Sequence, residues 1–364
     1  MKTRATTVLL VALGIAFAGN TVSAGANGLS GGAEPASASP YVVGGNDTTA
    51  AEHPWQVLIT NNDKPWCGGV LVHPMVILTA AHCVVAGNGI PWETNAAFNF
   101  KAYIGRTLVG EGGQELDWGS SSGEPTYSAS TETNDWGFVS LASPTSAPTL
   151  KIAGPKERFL WEPGAVTVVS GFGRTTETSG ASTTLQEVTV PIISDTGCGA
   201  YADFFNPASM LCAGYLEGGK DACNGDSGGP LSGAADLGVR RLVGLVSTGE
   251  GCARPNYPGI YTRVADPAIS ARIQQQVKAI EDENHFPAAY RGISIVGSGA
   301  KPIGCSSATK ASTGATKLVA AKKRALKAAR KSAKHHRIKA AKKRLNKAKG
   351  NLRKAKAKAK EVCS

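Results

Sequence analysis

The sequence predicts an all-β domain followed by a helical, strongly basic tail. Three observations carry that expectation. Residues 42 to about 264 contain many short runs rich in Val, Ile and Leu, cut apart by clusters of Gly, Pro, Asn and Asp. That spacing is typical of a β-sandwich or barrel. At Pro267 the period changes, and Ile269, Ile273, Val277 and Ile280 fall three to four apart, as on one helical face. Charge, finally, is segregated. Residues 301–364 hold 22 Lys and Arg against one acid, Glu361, leaving 17 against 26 Asp and Glu in residues 1–300. An acidic body with a polycationic tail excludes one uniformly basic globule.

The strand candidates include Gln56–Thr60, Gly69–Val72, Met75–Leu78, Ala165–Val169 and Leu242–Val246. Pro267 suits the first turn of the helix that follows them, over about Asp266–Ile280. From residue 283 to 315 the composition turns to Gly, Ser, Pro and Ala, which reads as a linker. Residues 316–364 are Ala- and Lys-rich, a strong helix former by propensity.

At the other end, Lys2 and Arg4 precede an apolar run, Val8–Ala18, and the small residues Val22-Ser23-Ala24. That order predicts a secretory signal peptide over 1–24. The run of 11 residues rises only about 16 Å, too short for a transmembrane helix. Residues 25–41, rich in Gly, Ala, Ser and Pro, read as a propeptide. Export implies an oxidising compartment, so the eight Cys are expected in disulfides. Spacing alone does not choose their pairing. Zinc is the rival use of cysteine, but C-x₂-C and H-x₃₋₅-H spacings are missing. No cofactor and no metal ligand set is assigned.

Three strings carry chemistry: Thr79-Ala80-Ala81-His82-Cys83, Asn134-Asp135-Trp136-Gly137-Phe138, and Asp221-Ala222-Cys223-Asn224-Gly225-Asp226-Ser227-Gly228-Gly229-Pro230. A serine hydroxyl is a weak nucleophile at neutral pH. It needs a base, and the base needs a carboxylate that fixes its tautomer. His82, Asp135 and Ser227 supply base, carboxylate and nucleophile in one of the known chain orders. Gly225 and Gly228 let the backbone turn tightly, so that the N–H groups of Gly225 and Ser227 can face a developing oxyanion.

These strings resemble the chymotrypsin-like serine proteases, most closely the secreted bacterial trypsins, over about residues 42–282. The resemblance implies two six-stranded antiparallel β-barrels with the triad in the cleft between them. It implies a serine endopeptidase that acts on protein or peptide substrates as a monomer. Val42-Val43-Gly44-Gly45 matches the mature N-terminus of the family. The freed Val42 ammonium is then expected to pair with Asp226 and order the oxyanion loop. Tyr41 precedes it instead of Arg or Lys, which implies an activating protease of another specificity. Asp221, six residues before Ser227, matches the acid at the base of the trypsin pocket, and Ser247, Gly249 and Gly259 match its walls. Cleavage after Arg or Lys follows. Two departures are Thr248, where the family has Trp, and Asn224, where trypsins often have Gln. A third is Trp136-Gly137, in place of the usual apolar pair after the Asp. The family pairings are Cys67–Cys83, Cys198–Cys212 and Cys223–Cys252.

Cys305 and Cys363 are left over, and cysteine arithmetic favours a pair between them. A straight helix from 316 to 361 would be about 69 Å long, and the ten residues before it reach about 36 Å at most. The pair therefore needs a helix that breaks or folds back. Ile338, Leu345 and Leu352, with Ala341, Ala348 and Ala355, form a heptad seam that Leu318, Ala325 and Leu326 could face. Around Lys334-His335-His336-Arg337 there is no Gly or Pro to make the turn. Such a tail is expected to bind polyanions such as cell-wall polymer, anionic lipid or DNA, and to retain the secreted protein at the cell surface. Self-cleavage should remove it unless it is shielded. The alternative reading is an inactive or weakly active protease-like carrier whose tail is a polyanion-binding adhesin.

Overall fold

The computed structural model describes residues 42–201, 203–331 and 335–363. The signal peptide and propeptide expected over 1–41 lie outside them. Fourteen strands follow in chain order: β1 Asn46–Asp47, β2 Gln56–Asn61, β3 Lys64–His73, β4 Val76–Thr79, β5 Phe100–Ile104, β6 Gln114–Leu116, β7 Trp118–Gly123, β8 Gly137–Leu141, β9 Val166–Gly171, β10 Gln186–Ile193, β11 Met210–Ala213, β12 Pro230–Ala234, β13 Arg240–Thr248 and β14 Gly259–Thr262. They form two antiparallel sheets, β6-β5-β2-β3-β4-β8-β7 and β1-β10-β11-β14-β13-β12-β9.

Each sheet holds seven strands, where six were expected, and the causes differ. In the first, Gln114–Gly123 is one segment broken at Asp117. Its first arm pairs with β5 and its second with β8, at opposite ends of the row. Chain continuity thus joins the two edges of a barrel-like sheet. In the second, β9 pairs with β10 as well as β12, which closes a ring of six, and β1 adds outside it on β10. Closure removes the unpaired edges that an open sheet would present.

Alternation sends Val57, Ile59, Leu71, Ile77 and Val139 into the first barrel and Val169, Val188, Leu231, Val243 and Tyr261 into the second. A third apolar cluster, with Trp136, Ile152 and Leu245, lies under the helix α2, Pro267–Glu283, which follows the one-turn helix α1, Ala81–Val84. Pro267 sits in the first turn of α2, and the Asp266 carboxylate accepts hydrogen bonds from Ala268 N and Ile269 N. This is a capped start. Ile269, Ile273, Val277 and Ile280 form the buried face, as their spacing predicted.

The segment read as a linker is not one. Phe286 and Ile295 are buried in the cluster beneath α2, with Tyr290 and Val296 against it. His73 Nε2 meets Tyr290 O at 2.8 Å, and Glu157, paired with Arg241, accepts from Ala300 N. Composition hid this, because a few isolated apolar residues need only an existing groove and no period of their own. The first tail helix, α3, accordingly starts at Cys305, and spans Cys305–Lys331; α4 spans His335–Cys363. Asp236 of the second barrel accepts from Gly304 N and Ser306 N and so caps α3.

The tail folds back despite the lack of a turn residue, and Cys305 is bonded to Cys363, with Cα atoms 5.1 Å apart. Leu345 and Ala348 are buried in the seam with Val319, and Leu352 packs against them. Leu318 is turned out, 44% exposed. The phase of α3 is set at Cys305: counting heptads from it reaches Ser312 and Val319, one position beyond Leu318. The side chains of Leu326 and Ile338 lie outside the described ones.

Candidate active site

His82 sits on α1, directly after β4, and Asp135 directly before β8. These two strands pair, with Thr79 opposite Gly137, which brings the flanking residues together. His82 Nδ1 lies 2.9 Å from Asp135 Oδ2, and the His82 N–H donates to Asp135 Oδ1 at 3.1 Å. The Ser247 hydroxyl donates to Asp135 Oδ2 at 2.6 Å. Burial by itself would lower the His82 imidazole, but the adjacent Asp135 charge and hydrogen bond outweigh it and hold the ring above its usual value. Asp135 is fully buried, yet His82 and the hydrogen bonds hold its carboxyl below the ordinary range. The departure at Trp136-Gly137 has a packing reason. Trp136 is fully buried and donates to Gln276 on α2, and a Cβ at Gly137 would come within 2.7 Å of Val84.

Ser227 is brought to this pair from the second barrel. Its carbonyl accepts from Gly68 N at 2.8 Å and lies 3.5 Å from Cys83 Sγ, next to His82. Gly225 and Gly228 have φ of +100° and +75°, in the left-handed range that glycine tolerates. A Cβ on Gly228 would lie 2.0 Å from Thr79 Oγ1. Asp226 N, Gly228 N and Gly229 N each donate to a backbone carbonyl. Among the described residues the N–H groups of Gly225 and Ser227 have no such acceptor.

Beside Ser227 opens a cleft of about 160 Å³, lined among others by Asp221, Ser247, Gly249 and Gly259. Asp221 lies buried within it, its carboxylate accepting from Ala222 N and Ala253 N. Burial pushes this carboxyl up to about 7, against the pull of those two N–H groups. A Cβ on Gly259 would lie 2.4 Å from Asp221 Oδ1, so that wall must be bare. Cys223–Cys252 ties the cleft's two sides together, Cys67–Cys83 tethers α1 to β3, and Cys198–Cys212 closes a third loop. Asn224 and Thr248 also line the cleft.

Val42 is fully buried, and Val43 O accepts from Asp221 N at 3.1 Å. Asp226 is fully buried with N–H donors from Gly173 and Cys223, and burial pushes it up to about 6. Three neighbours were not singled out from sequence. Trp92 Nε1 donates to His82 O and Trp66 Nε1 to Cys83 O, fixing α1. Glu132 places its carboxyl beside His82 and Asp135. Its sequence signal was only an extra acid three residues before Asp135.

A family model described as Trypsin matches residues 42–271. The chain belongs to the trypsin family. It is similar to a trypsin of Saccharopolyspora erythraea, 34% identical over 61% of this chain and 93% of the relative. A trypsin-like protease of Streptomyces glaucescens is 36% identical over 72% of this chain and 95% of the relative. A vitellin-degrading protease of Bombyx mori is 36% identical over 62% and 81%. As a trypsin-family member the chain is a serine endopeptidase, a hydrolase held by four disulfides. No helix among its described residues is long and apolar enough to cross a membrane.

Proposed function

We propose that this chain is a secreted endopeptidase that cuts after Arg or Lys, with His82, Asp135 and Ser227 as its triad. The observation that carries the reading is the buried Asp221 carboxyl in the cleft beside Ser227, with the bare Gly259 wall against it. A cationic side chain entering there meets the charge that burial has left uncompensated. An apolar one would leave it desolvated and unpaired.

Neutral His82 accepts the Ser227 hydroxyl proton as the oxygen attacks the scissile carbonyl. The carbonyl oxygen takes the charge and is met by the N–H groups of Gly225 and Ser227, typically worth about 3 kcal/mol per donor. His82 returns the proton to the leaving amine, and an acyl-enzyme remains. Water then repeats the sequence in reverse and frees Ser227. Asp135 holds the imidazolium between these transfers. Gly249 and Ser247 wall the cleft.

Activation is part of the proposal. Cutting after Tyr41 frees the Val42 ammonium, whose segment already packs against the Asp221 loop. Pairing with Asp226 would supply the cation that this buried carboxylate lacks. The tail is read as an anchor to polyanions. α3 and α4 carry eight and twelve Lys or Arg with a single Glu. Val319, Leu345, Ala348 and Leu352 are taken up by the seam, and the charge density favours binding by counterion release.

The test is turnover of matched peptides ending in Arg, Lys, Phe and Ala by proprotein cut after Tyr41, beside Ser227→Ala. Arg and Lys far above Phe and Ala, and nothing from the variant, is the expected result. Ser227-independent or absent turnover on every peptide would shift the function to the tail.

A further inference from the structure

Glu132 is a second carboxyl at the histidine. One nitrogen of His82 and one carboxyl oxygen each from Glu132 and Asp135 lie within 4.8 Å of one another. The loop that delivers it is firmly built. Asn134 Nδ2 donates to Thr126 Oγ1, Ser128 N to Thr133 O, and Tyr127 Oη to Glu132 Oε2 at 3.1 Å. Glu124, at the loop's base, is bonded to Arg272 and Gln276 of α2. Glu132 and Asn134 both hold left-handed backbone, φ +51° and +56°. Residues other than glycine rarely keep that conformation unless their surroundings impose it.

Asp135 is buried and its carboxylate has three hydrogen-bond partners, His82 N, His82 Nδ1 and Ser247 Oγ, whereas Glu132 is half-buried. Its Oε1 has no hydrogen-bond partner among the described residues. During catalysis His82 must be neutral to act as a base. The two carboxylates then face each other without a cation between them. Burial and the Asp135 charge both push the Glu132 carboxyl above its usual range, as that crowding requires.

The substrate's path supplies the missing charge. Ser227 is flanked on one side by the Cys67–Cys83 bridge and on the other by the cleft. Ser247 belongs to the cleft wall and touches Asp135, so the His82–Asp135–Glu132 group adjoins the acyl half of the substrate. In an extended chain successive side chains point to opposite sides. The residue before the one in the Asp221 cleft therefore turns away from that cleft, toward His82.

We propose that Glu132 is a binding subsite for a cationic side chain at the residue preceding the cleaved Arg or Lys, so that paired basic residues are the preferred substrate. This rests on the Arg/Lys reading above. Asp221 takes one cation and Glu132 the next.

The experiment compares activated full-length enzyme on peptides that share a leaving group and end in Lys-Arg, Gln-Arg or Glu-Arg, at pH 8 and low salt, with Ser227→Ala as blank. The expected kcat/KM order is Lys-Arg over Gln-Arg over Glu-Arg, with about tenfold between the first two, the ratio that 1.4 kcal/mol gives. Glu132→Gln should bring that ratio near one. Glu132→Lys should place Glu-Arg above Lys-Arg, an inversion that poor folding cannot produce. Salt should compress the wild-type ratio. Equal turnover of the three peptides by wild type, or an unchanged ratio in Glu132→Gln, overturns the subsite while leaving the Arg/Lys protease standing. Absence of Ser227-dependent cleavage after any basic residue overturns both.

Discussion

The Ser247 hydroxyl and the His82 imidazole share one oxygen of Asp135, at 2.6 and 2.9 Å. Ser247 comes from the end of β13 in the second barrel, and His82 and Asp135 from the first. The carboxylate that holds the His82 imidazole is thus itself held from the other barrel. Ser247→Ala should lower kcat about tenfold on an Arg substrate, since a hydrogen bond to a charged group contributes about 1.5–3 kcal/mol. Asp135→Asn should cost on the order of 10⁴ in kcat. Steady-state kinetics with active-site titration measures both, and unaltered kcat in Ser247→Ala would make the shared bond irrelevant to catalysis.

pH should act on two groups with separable signs. In the proposed mechanism His82 works as the neutral base, and its pKa is held above the ordinary 6.5. Activity should therefore rise with pH along a limb whose midpoint lies above that value. Asp221 titrates near 7 in the free cleft. Below that it is neutral and its attraction for cations fades. The ratio of kcat/KM for Arg over Phe peptides cancels the His82 contribution and should climb as pH rises through about 7. A ratio flat from pH 5 to 9 would count against Asp221 as the selecting charge.

Stability should distinguish the uncut from the cut chain. Asp226 is raised from 3.8 to about 6 by burial, so between those values the folded uncut chain holds a proton that the unfolded chain has lost. Stability of the uncut form should then fall as pH rises through that window, by up to about 3 kcal/mol. An ammonium from Val42 would depress the Asp226 pKa and remove the loss. Asp221 contributes alike to both forms, so the difference isolates Asp226. Urea melts of Ser227→Ala protein at pH 4 to 7, before and after cutting at Tyr41, make the comparison. Parallel curves would argue against the ammonium–Asp226 pair.

The tail should depend on its disulfide and on salt. Cys305–Cys363 closes a separation of 58 residues, which in the chain-entropy picture stabilises the hairpin by about 4 kcal/mol. Replacing both cysteines by serine should speed loss of the tail in activated enzyme, followed by mass spectrometry. Equal half-lives would mean that helix packing alone protects it. Affinity of the Ser227→Ala chain for a polyanion should fall linearly in log–log terms with salt. Changing Lys342, Lys343, Arg344 and Lys347 to Gln should flatten that slope by up to about four. An unchanged slope would remove α4 from the interface.

Much of the site was legible because its residues sit in short contiguous strings. Thr79–Cys83 and Asp221–Pro230 each hold candidate site residues within ten positions, so local order stands for spatial order. Glu132 was not legible in this way. An acid in a polar loop has no pattern to mark it, and only the bonds from Tyr127 and Asn134 bring its carboxyl to His82. Trp136 looked like a departure, and its reason lies on α2, 140 residues away.

The tail divides the same way. Its heptads gave the α4 seam, Leu345, Ala348 and Leu352, because a 3.5-residue period needs no partner to be read. The phase of α3 did not follow from period, since Leu318 and Val319 are equally apolar and a covalent tie at Cys305 chose between them. By itself, then, the sequence determined most of the local elements, the candidate reacting groups and the charge asymmetry. These are set by residue type and short-range period. Tertiary structure alone decided how Gln114–Gly123 joins both ends of a sheet, where residues 284–304 bury, and which carboxyls share the histidine. Those depend on distances between residues far apart in the chain, which no local pattern encodes.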